Sequence, residues 1–279
     1  MSAAADSAEA WSGKDRGDEN FPVGSALIAA RLRPHVHAFY AFARNADDIA
    51  DSATLDPAAK LARLDVMEAV LTGARAAGSA SAARLRDSLA ATGTTDRHAR
   101  DLLIAFRQDA TQRRYADWAA LYDYCRHSAM PVGRHVLDLH GESRDTWAAS
   151  DALCTALQVE NHLQDCAADL ATLDRLYLPA ELMAAHGAEV ADLRAPSASP
   201  ALRAVLDALL DRCDALNRSA GALPRRTRDR RLRLETAVIV GLSRRLAARL
   251  RRGDPLAGRV ALGKSDALGS ILAALRFLP

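Results

Sequence analysis

Two acidic clusters, Asp47-Asp48-Ile49-Ala50-Asp51 and Asp165-Cys166-Ala167-Ala168-Asp169, hold the residues best suited to chemistry in this chain. Each sets two carboxylates four residues apart in alanine- and leucine-rich sequence. Four residues is just over one helical turn, so the members of a pair leave the same helix face. Two such faces turned toward each other would form a cage of oxygen ligands. Magnesium binds such a site through one or two carboxylates, and a substrate diphosphate supplies further oxygens. The pattern predicts an enzyme that ionises a diphosphate.

Arg44 lies three, four and seven residues before Asp47, Asp48 and Asp51, close to their face. One reading is a surface ion pair with Asp48, worth under about 1 kcal/mol. The other is phosphate contact, which a planar guanidinium suits. Around the second cluster, Asn161, Asp165 and Asp169 form one polar stripe on a helix otherwise filled by Leu153, Leu157, Val159 and Leu163, with Gln158 and Gln164 beside it. That helix lacks the Lys and Glu of a solvated face, which favours metal or phosphate binding.

The elements that must position these groups are helical. Apolar residues make up 49% of the 279 and aromatics 5%, dominated by Ala and Leu, with Arg abundant. These are strong helix formers, and runs of β-branched residues are scarce. Residues 1–18 are small and polar and are expected to form a disordered leader, with one helical domain over 19–279. Helices are expected from Pro22 to about Arg31, from Pro34 through Asp51, from Pro57 to about Ala76, over about 80–91, and from 95 or 96 to about Gln112. A helix capped by Asp117 is expected to bend at Pro131. A long one spans about 145–170, a short one follows Pro179, and others cover about 200–219, 228–252 and 265–276.

The net charge of +2 gives no argument for nucleic acid. The basic stretch Arg225–Arg233 reads either as a solvated loop and helix start or as a contact for anionic lipid headgroups. Cys125, Cys154, Cys166 and Cys213 show neither zinc-site nor disulfide spacing, which suits a reducing cytoplasm. No apolar run is long enough to span a membrane. Leu268, Ile271, Leu272, Leu275, Phe277 and Leu278 could touch a membrane surface or pack on the domain.

The segments Phe42-Ala-Arg44-Asn-Ala-Asp47-Asp48-Ile-Ala-Asp51, Asn161-His-Leu-Gln164-Asp165-Cys-Ala-Ala-Asp169 and Arg175-Leu-Tyr177-Leu-Pro179 together resemble the squalene and phytoene synthase family. The likeness covers nearly the whole chain after residue 18. Asn20-Phe21-Pro22-Val23-Gly24-Ser25 and Tyr124-Cys125-Arg126, continuing to Gly133, look most like its bacterial hopanoid-pathway branch, which converts presqualene diphosphate and water to hydroxysqualene. The resemblance implies an all-α isoprenoid-synthase fold around a central cavity. Asp47, Asp48, Asp51, Asp165 and Asp169 would hold Mg2+ across its mouth, with Asn161 assisting. Arg44 would contact the diphosphate. Gln164, Tyr124, Arg126, Arg175, Tyr177, Arg259 and Phe21 complete the substrate-binding set it implies. A cytoplasmic protein touching the inner membrane face, with other isoprenoid-pathway enzymes as candidate partners, follows from lipid substrates and products.

The chain departs from the commoner family pattern at Gln164, Arg126, Ala168 and Asp174, where arginine, tyrosine, glutamate and glycine are usual. Losing a cation and a carboxylate at the second cluster fits one bound diphosphate rather than two. The alternatives are a synthase condensing two farnesyl diphosphates, and a non-catalytic helical relative acting as an interaction partner. His35 and His37 sit on different helix faces, and His127, His135 and His140 lack a ligand layout. Ser25 and Ser128 have no evident base, and no glycine-rich nucleotide loop occurs.

Overall fold

In the computed structural model, which describes residues 7–9 and 27–278, the chain is all-α, and its only β-type contact among those residues is an isolated bridge between Arg114 and Leu176. The first layer comprises α1 (Arg33–Asp51), α2 (Pro57–Leu71), α3 (Ala80–Thr92) and α4 (Arg97–Asp109). α5 (Trp118–Ser128) and α6 (Met130–Leu139) lead to α7 (Trp147–Leu173), which packs against α5, α6, α9 and α11. α8 (Ala180–His186), α9 (Pro200–Ala220), α10 (Leu223–Arg226), α11 (Arg230–Arg252) and α12 (Lys264–Ala274) complete the chain, with α12 lying on α11.

Local chemistry explains most boundaries. Asp56, Ser79, Asp117, Ser199 and Asp229 each cap a helix by accepting backbone N–H groups of its first turn. Proline occupies the first turn of α1, α2, α6, α9 and α10, where its missing N–H has no partner to lose. The α11 start is also held by buried Glu142, whose carboxylate accepts from Arg228 N and Asp229 N. An anion at a helix N-terminus complements the helix dipole.

Three expectations change. α2 stops at Leu71, because the chain turns at Gly73 with φ 80°. The helix expected to bend at Pro131 is two helices broken at Ala129, with Pro131 in the first turn of α6. Residues 27–32 form turns rather than the end of a helix, and residues 21–26 lie outside the described part. Within residues 1–18, the described residues 7–9 dock at the start of α3. Ala8 N donates to Gly78 O, and the Glu9 carboxylate accepts from Ser79 Oγ and Ser81 N at the α3 start.

Two apolar clusters hold the layers. Phe39, Phe42 and Ile49 of α1 meet Leu64, Met67, Leu85 and Leu103 of α2–α4. Val159, Leu163 and Cys166 of α7 meet Leu202, Leu206 and Leu209 of α9. A buried polar clamp fixes α7, α9 and α11 together: Asn217 Nδ2 donates to Glu160 at 3.0 Å, and the Ser243 hydroxyl lies 3.0 Å from the same carboxylate. Burial pushes the Glu160 carboxyl well above its usual pKa, opposed by its hydrogen bonds to Ser243 and Asn217.

His135 stacks on Phe39 at 3.9 Å, and neither ring nitrogen has a hydrogen-bond partner. Burial, then the nearby His98 and His35, lower its pKa to about 3. A depressed histidine contributes stability above the unfolded pKa that is lost as pH falls toward the folded one. His135→Phe should therefore gain on the parent below pH 6.5, by about 2 kcal/mol near pH 5. Urea melts of both proteins across pH 4.5–7.5 check this, and parallel curves would refute it.

Candidate active site

Asp47, Asp48 and Asp51 lie on the last two turns of α1, and Asp165 and Asp169 on the last two turns of α7. The segment after α7 joins these two helix ends. Asp174 ends α7 in the left-handed conformation, φ 51° and ψ 33°. That geometry costs a residue with a Cβ, which explains why glycine is the usual occupant. Here Arg114 holds it: Nη2 lies 2.6 Å from Asp174 Oδ1, and Nη1 donates to its carbonyl. The following residues run alongside 113–116, with Leu176 N donating to Arg113 O and Ala180 N to Tyr115 O.

The turn sends Arg175 back across the site. Its Nη1 is 2.6 Å from Asp51 Oδ1 and 4.0 Å from Asp109 Oδ1, and its Nη2 donates to Ala50 O at 3.0 Å. Lys60 Nζ donates to the same carbonyl at 2.8 Å. α1 has no basic residue in its last turn, so cations from elsewhere cover its negative end. Burial pulls the Arg175 pKa down, but Asp109 and Asp51 outweigh it and the net shift is upward. The Lys60 pKa is lowered by burial and by Arg175.

Asp109, at the end of α4, is the group that sequence reasoning missed. It is buried and accepts from the Tyr124 hydroxyl at 2.9 Å and the Tyr177 hydroxyl at 3.2 Å. Burial raises its pKa to about 6, opposed by Arg175 and the two hydroxyls. Its signal was an aspartate three and seven residues beyond Phe106 and Leu102, on the apolar face of an amphipathic helix. His162 was also passed over. Its ring stacks 3.5 Å from Tyr177, and burial lowers its pKa to about 3, leaving it neutral.

Arg44 contacts Asp47 at 3.2 Å and Asp48 at 3.0 Å. Asp48 is buried, whereas Asp47 keeps 34% of its side chain accessible along one open edge. Enclosure of its remaining flanks and repulsion from Asp51 still push the Asp47 carboxyl well above its usual range, against Arg44. More carboxylate is gathered here than the neighbouring cations neutralise. Such an oxygen-rich cluster has the donor chemistry of a hard divalent cation site. Among the described residues, no three His, Cys, Asp or Glu side chains already converge as ligands; Arg44 and Arg175 hold the aspartates instead.

Asn161 joins the acidic stripe to a second feature. It lines a 150 Å³ apolar pocket with Gln158, Leu157, Cys154, Leu153 and Ser150 of α7, opposite α6 and α11. One face of α7 thus runs from Asp169 and Asp165 through Asn161 into the pocket. α6 closes on α7 at Gly133, where a Cβ would stand 2.3 Å from Ser150 Oγ and 2.7 Å from Cys154 Sγ. A side chain there would have to displace both groups.

Other expected residues lie elsewhere. Arg126 leaves α5 on the exposed side and pairs with Asp123, away from Tyr124, so the structure does not bring it to the aspartates. Residues two apart on a helix occupy different faces. Gln164 is buried and donates to Val260 O at 2.5 Å, fastening the 253–263 loop on which Arg259 is exposed. Phe21 is outside the described residues. The four cysteines are free thiols, and no described helix is long and apolar enough to cross a membrane.

Residues 14–266 match the family model for squalene/phytoene synthase, and the chain belongs to that family. The chain is 50% identical over 254 residues to a hydroxysqualene synthase of Rhodopseudomonas palustris, covering 91% of this chain and 87% of that one. It also resembles the crystal structure of squalene synthase HpnC from Alicyclobacillus acidocaldarius, with TM-score 0.74 and 34% identity over 82% of this chain and 87% of that one. A dehydrosqualene synthase structure shares the fold at TM-score 0.76 and 21% identity, over 92% and 91% of the two chains. Enzymes of this family process prenyl diphosphates and generally use divalent metal.

Arg175→Met should destabilise the protein by about 3 kcal/mol, because it strips the partner from buried carboxylate. Adding Asp109→Asn should recover part of that loss, since it removes the stranded charge. Denaturant midpoints of the two single variants and the double variant test this; strict additivity would disprove the coupling.

Proposed function

We propose that this chain is a hydroxysqualene synthase, ionising presqualene diphosphate and capturing the rearranged cation with water to release hydroxysqualene and diphosphate. The supporting observation is the single α7 face on which Asp169, Asp165 and Asn161 continue directly into the apolar pocket. From Asn161 to Ser150 that face extends about 16 Å at 1.5 Å per residue. A headgroup site and a tail site are therefore contiguous. The half-identical relative bearing the name hydroxysqualene synthase supports the same reading.

Divalent ions, magnesium being the proposed species, would be held by Asp47, Asp48, Asp51, Asp165 and Asp169 with Asn161, and would supply Lewis-acid charge to the departing diphosphate. Arg44 and Arg175, now paired with aspartates, stand ready to donate to phosphate oxygens. Tyr124 and Tyr177 keep Asp109 in place behind Arg175. Leu137, Leu153, Leu157 and Ile239 shield the tail and the cation from bulk water. Neutral His162 adds no repelling charge nearby.

Water capture needs polar atoms in this apolar lining. Ser128 and Gln158 both line the pocket; the Ser128 hydroxyl is buried without a partner, and Gln158 Nε2 lies 3.1 Å from His162 Nε2. They are the proposed holders of the attacking water. The chain's seat is proposed as the cytoplasm, beside the inner membrane face that stores its lipid substrate and product.

Purified protein with magnesium should convert presqualene diphosphate to hydroxysqualene and leave farnesyl diphosphate alone, read by mass spectrometry. Formation of a thirty-carbon product from farnesyl diphosphate alone overturns the assignment in favour of a condensing synthase. Asp48→Asn and Asp165→Asn should each lower turnover at least about 100-fold by weakening stabilisation of the leaving group. Ser128→Ala and Gln158→Leu should keep substrate consumption but lower the alcohol fraction of the product; an unchanged product ratio removes both from water placement.

A further inference from the structure

A 670 Å³ pocket that shares no residue with the acidic helix ends carries six arginines: Arg218, Arg225, Arg244, Arg245, Arg252 and Arg276. α11 forms its floor through Ala237, Val240, Gly241, Ala248 and the arginines between and beyond them. The end of α9 with α10 makes one wall, and α12 with the following turn makes the other. Gly221 and Gly269 leave room for the guanidinium groups of Arg244 and Arg245, which a Cβ would meet at 2.7 and 2.5 Å. The single acid in the lining, Asp266, is committed to Arg249 and to Gly263 N. Among the described residues, Arg218, Arg225, Arg245, Arg252 and Arg276 make no ion pair, and Arg244 binds only the Asn217 carbonyl. Ser270, also in the lining and buried, has a hydroxyl without a hydrogen-bond partner.

The outer face of α12 borders this pocket and is apolar. Leu268, Ile271 and Leu272 of α12 and Leu275 just after it are all about half exposed and share one face, so they form a ridge, and the half-exposed Leu278 follows. Asp266, Ser270 and Ala273 leave the opposite side of α12 toward the pocket and α11. A ridge of leucine beside a trough of arginine matches the two layers of a bilayer surface, acyl chain and phosphate. A free small anion would use the trough and leave the ridge bare.

We propose that α12 and the arginine pocket dock the protein on a membrane rich in anionic phospholipid, with headgroup phosphates in the pocket and the α12 ridge in the acyl boundary. This surface stands apart from the acidic clusters, so it is tested without turnover.

Flotation of the full chain with vesicles measures it. Vesicles containing phosphatidylglycerol should retain the protein, pure phosphatidylcholine vesicles should not, and binding should weaken with salt. Arg225→Ala with Arg252→Ala and Arg276→Ala should weaken binding at least about tenfold. Ile271→Ser with Leu272→Ser and Leu275→Ser should do the same, while both variants keep the helical circular dichroism and denaturant midpoint of the parent, which report an intact fold. Equal binding to neutral vesicles, wild-type binding by either variant, or inorganic phosphate at millimolar concentration displacing the protein from vesicles would overturn the proposal.

Discussion

Arg175 held between Asp51 and Asp109 is the interaction on which the candidate site depends. Its two carboxylates come from α1 and α4, and it hangs from the turn that ends α7. A single guanidinium thus ties the helix carrying the first aspartates to the helix carrying the second. A buried charge pair of this kind contributes little net stability, because desolvation offsets most of the attraction. Its contribution is position: without it, two negative helix ends with several carboxylates would repel each other.

The supporting contacts follow from that demand. The left-handed Asp174, pinned by Arg114, aims Arg175 backward. Tyr124 and Tyr177 turn Asp109 toward the guanidinium, and Lys60 shares the Ala50 carbonyl. On the far side of α7, Glu160 locks α9 and α11 through Asn217 and Ser243, so the long helix has one rigid back and one open face. Asn161, Asp165 and Asp169 lie on the open face.

Much of this was readable from residue order. The Ala-, Leu- and Arg-rich composition gave the all-α class, and the cap at Asp117 with the prolines at helix starts gave most boundaries. Arg44, Asn161, Arg175 and Tyr177 were named beforehand, and the structure sets Arg44 and Arg175 on the first aspartates, Tyr177 behind Arg175 and Asn161 at the pocket rim. Asp109 was missed because a lone acid at a helix end looks like a solvated group until its tyrosine partners, 15 and 68 positions away, are folded around it. Arg126 was misplaced for the opposite reason: closeness to Tyr124 along the chain means little when two steps on a helix turn a side chain to another face. The arginine pocket draws on four separate elements, and no linear pattern announces it.

Gly133 carries a consequence for how such a cavity can change over evolution. Its missing side chain leaves room for the Ser150 hydroxyl and the Cys154 thiol of the facing helix, where α6 and α7 together wall the pocket. Trimming one leucine would leave a local dent, whereas a single methyl at Gly133 would press on the Ser150 and Cys154 side chains of the opposite wall. The fit of α6 on α7 at this one point is therefore a second lever on the bore, beside the bulk of the lining leucines.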